Sequence, residues 1–493
     1  MGRQGRRTDH RGAPNEVTDR STQPRLPGGA TWLPREVDTG ATASARRVLL
    51  ITTTYPPRTE VGAARWEGFT PYLARAGWGL DAVIEQPPDT EQADWSRLAR
   101  LPADVRVVQI ARGNPWWYEA IRRAQAPFRP QRAERAEAVH EVEAYVGGGG
   151  AARPRLRDVV NAAVHTSRAR KGIADLVHAA DAIVDARQHV VVSSGPPHFV
   201  HVAASRVAAR HRLPHIVDLR DPWGRAEPLG LAARLVPDRH LRHHEQRTLE
   251  RAALIVTNTT AAERALAERF PKLRDRIRCI PNGSDVEPES AGARARPTRF
   301  QIAHSGSLYL DRDPRPFLRA VGRVRTELAL GPDDLRVVFM GNPARVAGRP
   351  LTELAAEAGL EGVFEERPPG TRDEARQLLR ESSMAVAFQG ETRTQVPAKV
   401  FEYVAFPVWL LALVGAESAT ADLLANSDAI VLDIDDEAGT QRAIERCVQR
   451  FRAGESPRPV GWDGRFSRAR QAERLIVELQ RLESRTMRRT PTA

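Results

Sequence analysis

Two doubly wound α/β domains facing each other across a cleft are what this sequence predicts, on three observations. Short apolar runs without polar alternation, the pattern of strands buried on both faces, recur along the chain with helical stretches between them. These runs fall into two series, at 46–286 and 295–465, separated by a segment at 287–299 rich in Pro, Gly, Ser and Ala. A chain of 493 residues is also too long for one hydrophobic core. Strands that alternate with helices give parallel sheets covered on both faces, a Rossmann-like pair. Ligands of such sheets bind at the carboxyl ends of the strands, so the cleft is where chemistry is expected.

In the first series, RRVLLITTTY at 46–55 reads as a buried strand that runs into Pro56 and Pro57. A helix follows at 65–76 and stops at Gly77, a residue free to take the left-handed backbone of a helix end. Strands are expected at 80–85 and 105–111. Residues 112–185 break the rhythm. Trp116, Trp117 and Tyr118 precede Arg-rich helical sequence and a glycine run at 147–150, which reads as a helical insertion with a flexible linker. The alternation resumes with strands at 189–194, 215–219, 254–258 and 277–280 and helices at 199–210, 240–252 and 261–270. The second series has strands at 300–305, 335–341, 363–366, 384–389, 408–414 and 429–434. An amphipathic helix at 466–485 ends it as a separate element, and the first 45 residues, without apolar periodicity, read as a disordered tail.

Composition excludes several classes. No run reaches the roughly 18 apolar residues of a membrane helix, and no apolar leader follows the N-terminal arginines. Cys279 and Cys447 stand far apart, giving neither a disulfide framework nor a metal spacing, and a reducing cytoplasm is expected. The net charge of +12 would suit nucleic acid, but no zinc-finger, RRM or basic-zipper pattern accompanies it. Only three of the 74 basic residues are lysines (Lys171, Lys272, Lys399), so the charge reads as a general arginine bias with a solvated surface. Adjacent His243 and His244 beside Glu245 lack the i,i+4 spacing of a zinc site, and no bound metal is expected.

The candidate site residues cluster after strands. Pro-Ala-Lys-Val-Phe-Glu-Tyr at 397–403 opens a helix after the strand at 384–389. A helix start attracts anions, Lys399 is a point charge suited to a phosphate, and Glu402 one turn on can take both hydroxyls of a diol. A surface helix with solvated charges is the plain alternative. After the strand at 300–305, Gly306 permits close backbone approach to a phosphate, with Ser307 beside it and Arg312 able to clamp the same group. The loop from Tyr55 contains Gly62 and Arg65, a second phosphate or acceptor contact or else an ordinary helix start. Ser-Gly-Pro-Pro-His at 194–198 and Asp-Leu-Arg-Asp-Pro-Trp at 218–223 put His198, Arg220 and Asp221 at strand ends. There Asp221 or His198 could orient or deprotonate a hydroxyl, unless these charges form a structural network.

These motifs, in this order, resemble family 4 glycosyltransferases of the GT-B fold, and in particular a bacterial subgroup with SGPPH, DxRDPW and PxKxxEY runs. The resemblance covers about 46–485 without the insertion. It implies transfer of a sugar, with retention, from a nucleotide-diphosphate donor to a hydroxyl acceptor in polysaccharide, glycolipid or glycoconjugate synthesis. It implies Glu402 on the ribose and Lys399 near the diphosphate. The family's other Glu, eight residues earlier, is Thr394 here, with Gln395 or Glu391 as substitutes. Ser307 stands for the first member of the family's basic pair, and Ala63 for the second glycine of its first loop. Many relatives use lipid-linked acceptors. Trp116, Trp117, Tyr118, Arg122, Arg123, Phe128, Arg129 and Arg132 would suit peripheral contact with the inner membrane face, or else pack over the N-terminal sheet. Two other readings keep the fold: a sugar-nucleotide epimerase, and a degenerate binding or scaffold subunit.

Overall fold

In the computed structural model the described residues are 26, 30–33, 44–60, 62–87, 93–111, 156–223, 238–290, 296–306, 308, 312–342, 345–346, 348–390 and 392–487. Side chains at 156–165, 238–242 and 486–487 are left aside.

The N-terminal domain has strands β1 (Thr31–Trp32), β2 (Arg46–Thr52), β3 (Trp78–Glu85), β4 (Val105–Ile110), β5 (Gln188–Gly195), β6 (His215–Leu219), β7 (Leu254–Thr257) and β8 (Ile277–Cys279). They form one sheet in the order β1-β4-β3-β2-β5-β6-β7-β8, parallel except for β1, which pairs antiparallel with β4. Val48, Leu49, Leu50 and Ile51 are all fully buried, which is why β2 reads as an unbroken apolar run. Helices α1 (Ala63–Arg75), α2 (Trp95–Ala99), α3 (Leu156–Asp181), α4 (Phe199–His211), α5 (Asp238–Arg251) and α6 (Thr260–Arg269) connect the strands.

The C-terminal domain has β9 (Phe300–Ser305), β10 (Leu335–Met340), a small hairpin β11 (Arg345–Val346) and β12 (Arg349–Pro350), β13 (Phe364–Arg367), β14 (Met384–Gln389), β15 (Trp409–Val414) and β16 (Ile430–Leu432). Six of these make an all-parallel sheet ordered β13-β10-β9-β14-β15-β16. Its helices are α7 (Arg315–Glu327), α8 (Leu351–Glu357), α9 (Arg372–Arg380), α10 (Ala398–Tyr403), α11 (Ala419–Leu424) and α12 (Glu437–Arg452), followed by α13 (Arg468–Met487). In each sheet the winding direction reverses once, between β2 and β5 and between β9 and β14. Those two reversals fix where a crevice opens at the strands' carboxyl ends.

Three expectations change. The tail contributes β1 to the sheet, and Trp32 packs against the N-terminal core. Residues 166–181, expected within an insertion, belong to the crossover helix α3 that leads into β5. Its Leu176, Val177, Ala179 and Ala180 are packed with Val200, Ala203 and Val207 of α4 against the sheet. The rest of that expected insertion, 112–155, lies outside the described residues, as do the four glycines and the aromatic–arginine run at 116–132. The terminal helix is no separate element. Ala472, Leu475, Leu479 and Leu482 of α13 join Trp66, Phe69 and Leu73 of α1 in the N-terminal domain's core. The chain therefore crosses between domains twice, and the two crossings lie side by side. Ser284 N–H donates to Phe466 O at 2.6 Å, Arg468 N–H to Ser284 O at 2.7 Å, and Arg468 pairs with Asp285 at 2.8 Å.

Candidate functional site

In the C-terminal domain Gly306 follows β9 directly and α10 lies beyond β14, so the two motifs flank the reversal between these strands. Gly306 has φ +116°, a backbone that favours glycine, and a Cβ there would stand 2.6 Å from Lys399 Nζ. The lysine thus lies against the turn itself. Lys399 Nζ is 3.2 Å from Nε2 of His304 in β9, whose Nδ1 is 2.9 Å from Val386 O. Burial and the nearby Arg312 cation lower the Lys399 pKa to about 7. No carboxylate forms an ion pair with Lys399 among the described residues. Tyr403, fully buried, braces the same turn: Ser305 N–H donates to its hydroxyl at 2.7 Å, and the hydroxyl donates to Ser305 O at 3.0 Å.

Helix α10 has only six residues, so its dipole adds little and the lysine side chain carries the positive charge. Glu402, on the same helix, is partly exposed, and its carboxylate takes part in no hydrogen bond or ion pair among the described residues. Ser307 and Glu391 lie outside the described residues. A small hollow beside Gly306 is lined by Leu308, Phe339, Asn342, Leu351 and Glu366, at the carboxyl ends of β9, β10 and β13.

The loop between β14 and α10 is shaped from within and from across the cleft. Buried Gln389 donates through Nε2 to Thr392 O and Gln395 O, both at 2.6 Å. Thr259 of the N-terminal domain donates to Thr394 O at 2.7 Å while capping α6, and Gln395 Nε2 donates to Asp221 Oδ1 at 2.7 Å. Thr394 is therefore held through its backbone, and Gln395 faces the other domain.

In the N-terminal domain, Gly62 caps α1, and a Cβ on it would come within 1.9 Å of Arg220 Nη1. The glycine gives the Arg220 guanidinium its place over the first loop. Arg220 also donates to Pro196 O, and its backbone carbonyl accepts from Asn258 Nδ2 at 2.5 Å. Asp221 is partly exposed, and burial raises its carboxyl pKa against the pull of Arg220 and Gln395.

Two sequence-predicted residues take other parts. Arg65, 3% exposed, gives its guanidinium to Asp218 (Nη2 at 2.9 Å, Nε at 3.1 Å), Asn282 Oδ1 at 3.1 Å and Ile280 O at 2.9 Å. Asp218 further accepts from Trp66 Nε1 and Ser194 Oγ, both at 2.8 Å. This network engages all three guanidinium nitrogens of Arg65 and ties the side chain to β6 and to the turn after β8. His198 is 1% exposed, with its ring stacked on Trp223 at 5.2 Å and 10°. Burial, then the Arg220 cation, lower its pKa to about 3. A ring so placed is a wall under the cleft and a weak base. Buried His201 and Ser193 continue that wall, with His201 Nδ1 2.8 Å from Ser193 Oγ.

Residues 128–283 match the sequence profile described as a glycosyl transferase 4-like domain. Over 151 residues, 29% of the chain, it is 28% identical to a D-inositol 3-phosphate glycosyltransferase of Paenarthrobacter aurescens. The chain spans 36% of that relative's length. Solved structures resemble it along most of its length. The N-terminal domain of a Candida albicans trehalose-6-phosphate phosphatase has a TM-score of 0.60 at 10% identity, covering 90% of this chain and 98% of that one. A sucrose-phosphate synthase from Thermosynechococcus elongatus scores 0.55 at 14% identity, over 89% and 99%. A glycosyltransferase of Rickettsia africae scores 0.54 at 11% identity, over 89% and 98%. At such identities they show the fold, which is GT-B. Among the described residues no helix is long and apolar enough to cross a membrane, and no group of three or more His, Cys, Asp or Glu side chains is placed to hold a metal ion.

Proposed function

We propose that this chain is a glycosyltransferase that moves a sugar from a nucleoside-diphosphate donor to a hydroxyl acceptor, with retention at the anomeric carbon. The donor's diphosphate meets Lys399 and Arg312 over the Gly306 turn, and Glu402 takes the ribose hydroxyls. Thr394 and Gln395, on the loop after β14, border the transferred sugar. The acceptor lies opposite, between Gly62, Arg220 and Asp221, with His198 and Trp223 beneath it.

The observation that carries this reading is the cation at the strand reversal. Lys399 is held against a glycine turn with a neutral nitrogen as neighbour, and a free carboxylate stands one turn on. A desolvated cation without a counter-ion is costly, and an anionic ligand removes that cost. Charge growing on the leaving diphosphate would be stabilised by Lys399 and Arg312, so the reaction is proposed to run without a metal. Asp221, with its raised pKa, is suited to accept the hydroxyl proton late, as the new bond forms.

Thermal melts with UDP-, GDP-, dTDP- and ADP-sugars test this, together with donor hydrolysis. One nucleotide class should raise the melting temperature, and Glu402→Ala should abolish that rise. A full shift in Glu402→Ala removes Glu402 from the site. No shift and no hydrolysis with any donor would overturn the reading and leave a degenerate binding subunit.

A further inference from the structure

We infer that His304 is the positioning residue for Lys399: its ring holds the ammonium group over the Gly306 turn, ready for a diphosphate. The inference rests on the proposed function, because it states how that site's cation is aimed. His304 is fully buried in β9 between Phe339 and Phe388, whose ring centroids lie 5.1 and 5.2 Å away. Its Nδ1 is 2.9 Å from the Val386 carbonyl on the neighbouring β14. A carbonyl only accepts, so Nδ1 carries the hydrogen and Nε2 of the neutral ring is an acceptor. Lys399 Nζ, 3.2 Å away, donates to that Nε2.

Two neighbours then place the ammonium: the imidazole on one side and, on the other, the Gly306 turn, where a Cβ would lie 2.6 Å from Nζ. A lysine stem is flexible and loses much freedom when it binds. A fixed acceptor removes that freedom before the ligand arrives, which favours binding. The choice of partner matters. A carboxylate would hold the lysine as well but would neutralise it and compete with the diphosphate. A neutral nitrogen aims the charge without cancelling it. The sequence places His304 in the strand that feeds the turn, so fold and aim come from one element.

The test uses two half-replacements in the full chain. His304→Asn keeps a donor for Val386 O and removes the acceptor for Lys399. His304→Gln keeps an acceptor near the Nε2 position. Titration calorimetry with UDP, GDP, dTDP and ADP, and with the matching nucleosides, reads the effect. For the nucleotide that wild type binds best, His304→Asn should weaken the diphosphate about tenfold, the worth of one charge-assisted hydrogen bond, with nucleoside affinity unchanged. His304→Gln should recover most of the loss. In a Lys399→Met background His304→Asn should cost nothing further, since its partner is gone. Equal losses for nucleoside and diphosphate, or a tenfold loss that persists without the lysine, would overturn the inference. A wild type that binds none of the four nucleotides overturns the proposed function and this inference together. A measurement independent of the folding of the His304 variants is nitrogen NMR of the histidine rings. The His304 Nε2 resonance should move when Lys399 becomes Met, and an unmoved resonance would also sink the inference.

Discussion

Arg65 and Lys399 occupy comparable places in the two domains, each on the helix beside the point where its sheet reverses, yet their surroundings are opposite. Arg65 is enclosed by Asp218, Asn282 and a backbone carbonyl, and Asp218 has further donors of its own. Lys399 meets an imidazole nitrogen and a glycine turn. The first cation is matched by the chain and so belongs to the fold. The second has no carboxylate partner among the described residues, and the proposed diphosphate would supply the anion. What separates a structural charge from a functional one here is the identity of its neighbour more than its depth or its position at a strand end.

The contrast breaks most visibly at Asp218. Asp218→Ala leaves a buried guanidinium unpaired, with Trp66 and Ser194 also stripped of an acceptor, and should cost about 3–5 kcal/mol in a urea melt. A loss under about 1 kcal/mol, within the range of an exposed pair, would mean the network is not structural. Lys399→Met should do the reverse, weakening nucleoside diphosphate binding about 10–100-fold while the melting temperature holds or rises. If that variant instead melts early, the lysine serves the fold and the contrast fails. Gly62→Ala drives a Cβ into Arg220, with an expected cost of about 1–3 kcal/mol divided between stability and turnover. Transfer at the wild-type rate would take Arg220 out of the site.

The lysine also sharpens the contrast through pH. In the empty site its pKa lies at about 7, and a bound diphosphate raises it. Below pH 7 the cation is present before and after binding, so affinity is full. Above it the free site must first take up a proton, and affinity should fall by about tenfold per pH unit until the pKa of the complex is reached. Calorimetry in buffers of different ionisation heat should register that uptake near about pH 8, and Lys399→Arg should flatten the profile. The smallest effect belongs to Gln395→Ala, which removes one hydrogen bond between the domains and should cost about 1 kcal/mol. Solution scattering that shows no loosening would place Gln395 outside the contact that holds the domains together.

Much of the fold was legible because parallel strands buried on both faces must be apolar runs. The strands at 215–219, 300–305 and 384–389 have the bounds expected of them, and most others differ by one or two residues. What escaped was non-local. Two residues of β1 have no period to detect, and the pairing with β4 exists only in the sheet. Helix α3 was read as part of an insertion, because the packing of Leu176, Val177, Ala179 and Ala180 with α4 against the sheet is not recorded in its own sequence. At the site, the charges and the glycine at strand ends were legible. The neighbour each charge would find was not. Arg65 and His198 looked as available as Lys399, and His304 stood inside the strand at 300–305 without any sign that it would face the lysine. Pairing depends on contacts between segments about a hundred residues apart, which no local pattern records.

The return of α13 to the N-terminal domain has a consequence for how the protein is made. The core beneath α1 stays open on one side until Ala472, Leu475, Leu479 and Leu482 have left the ribosome. The domain synthesised first is thus finished last, after the whole C-terminal sheet has emerged. A nascent chain stalled before residue 468 would display the uncovered face of Phe69 and Leu73 to chaperones, whereas its C-terminal domain could already be closed.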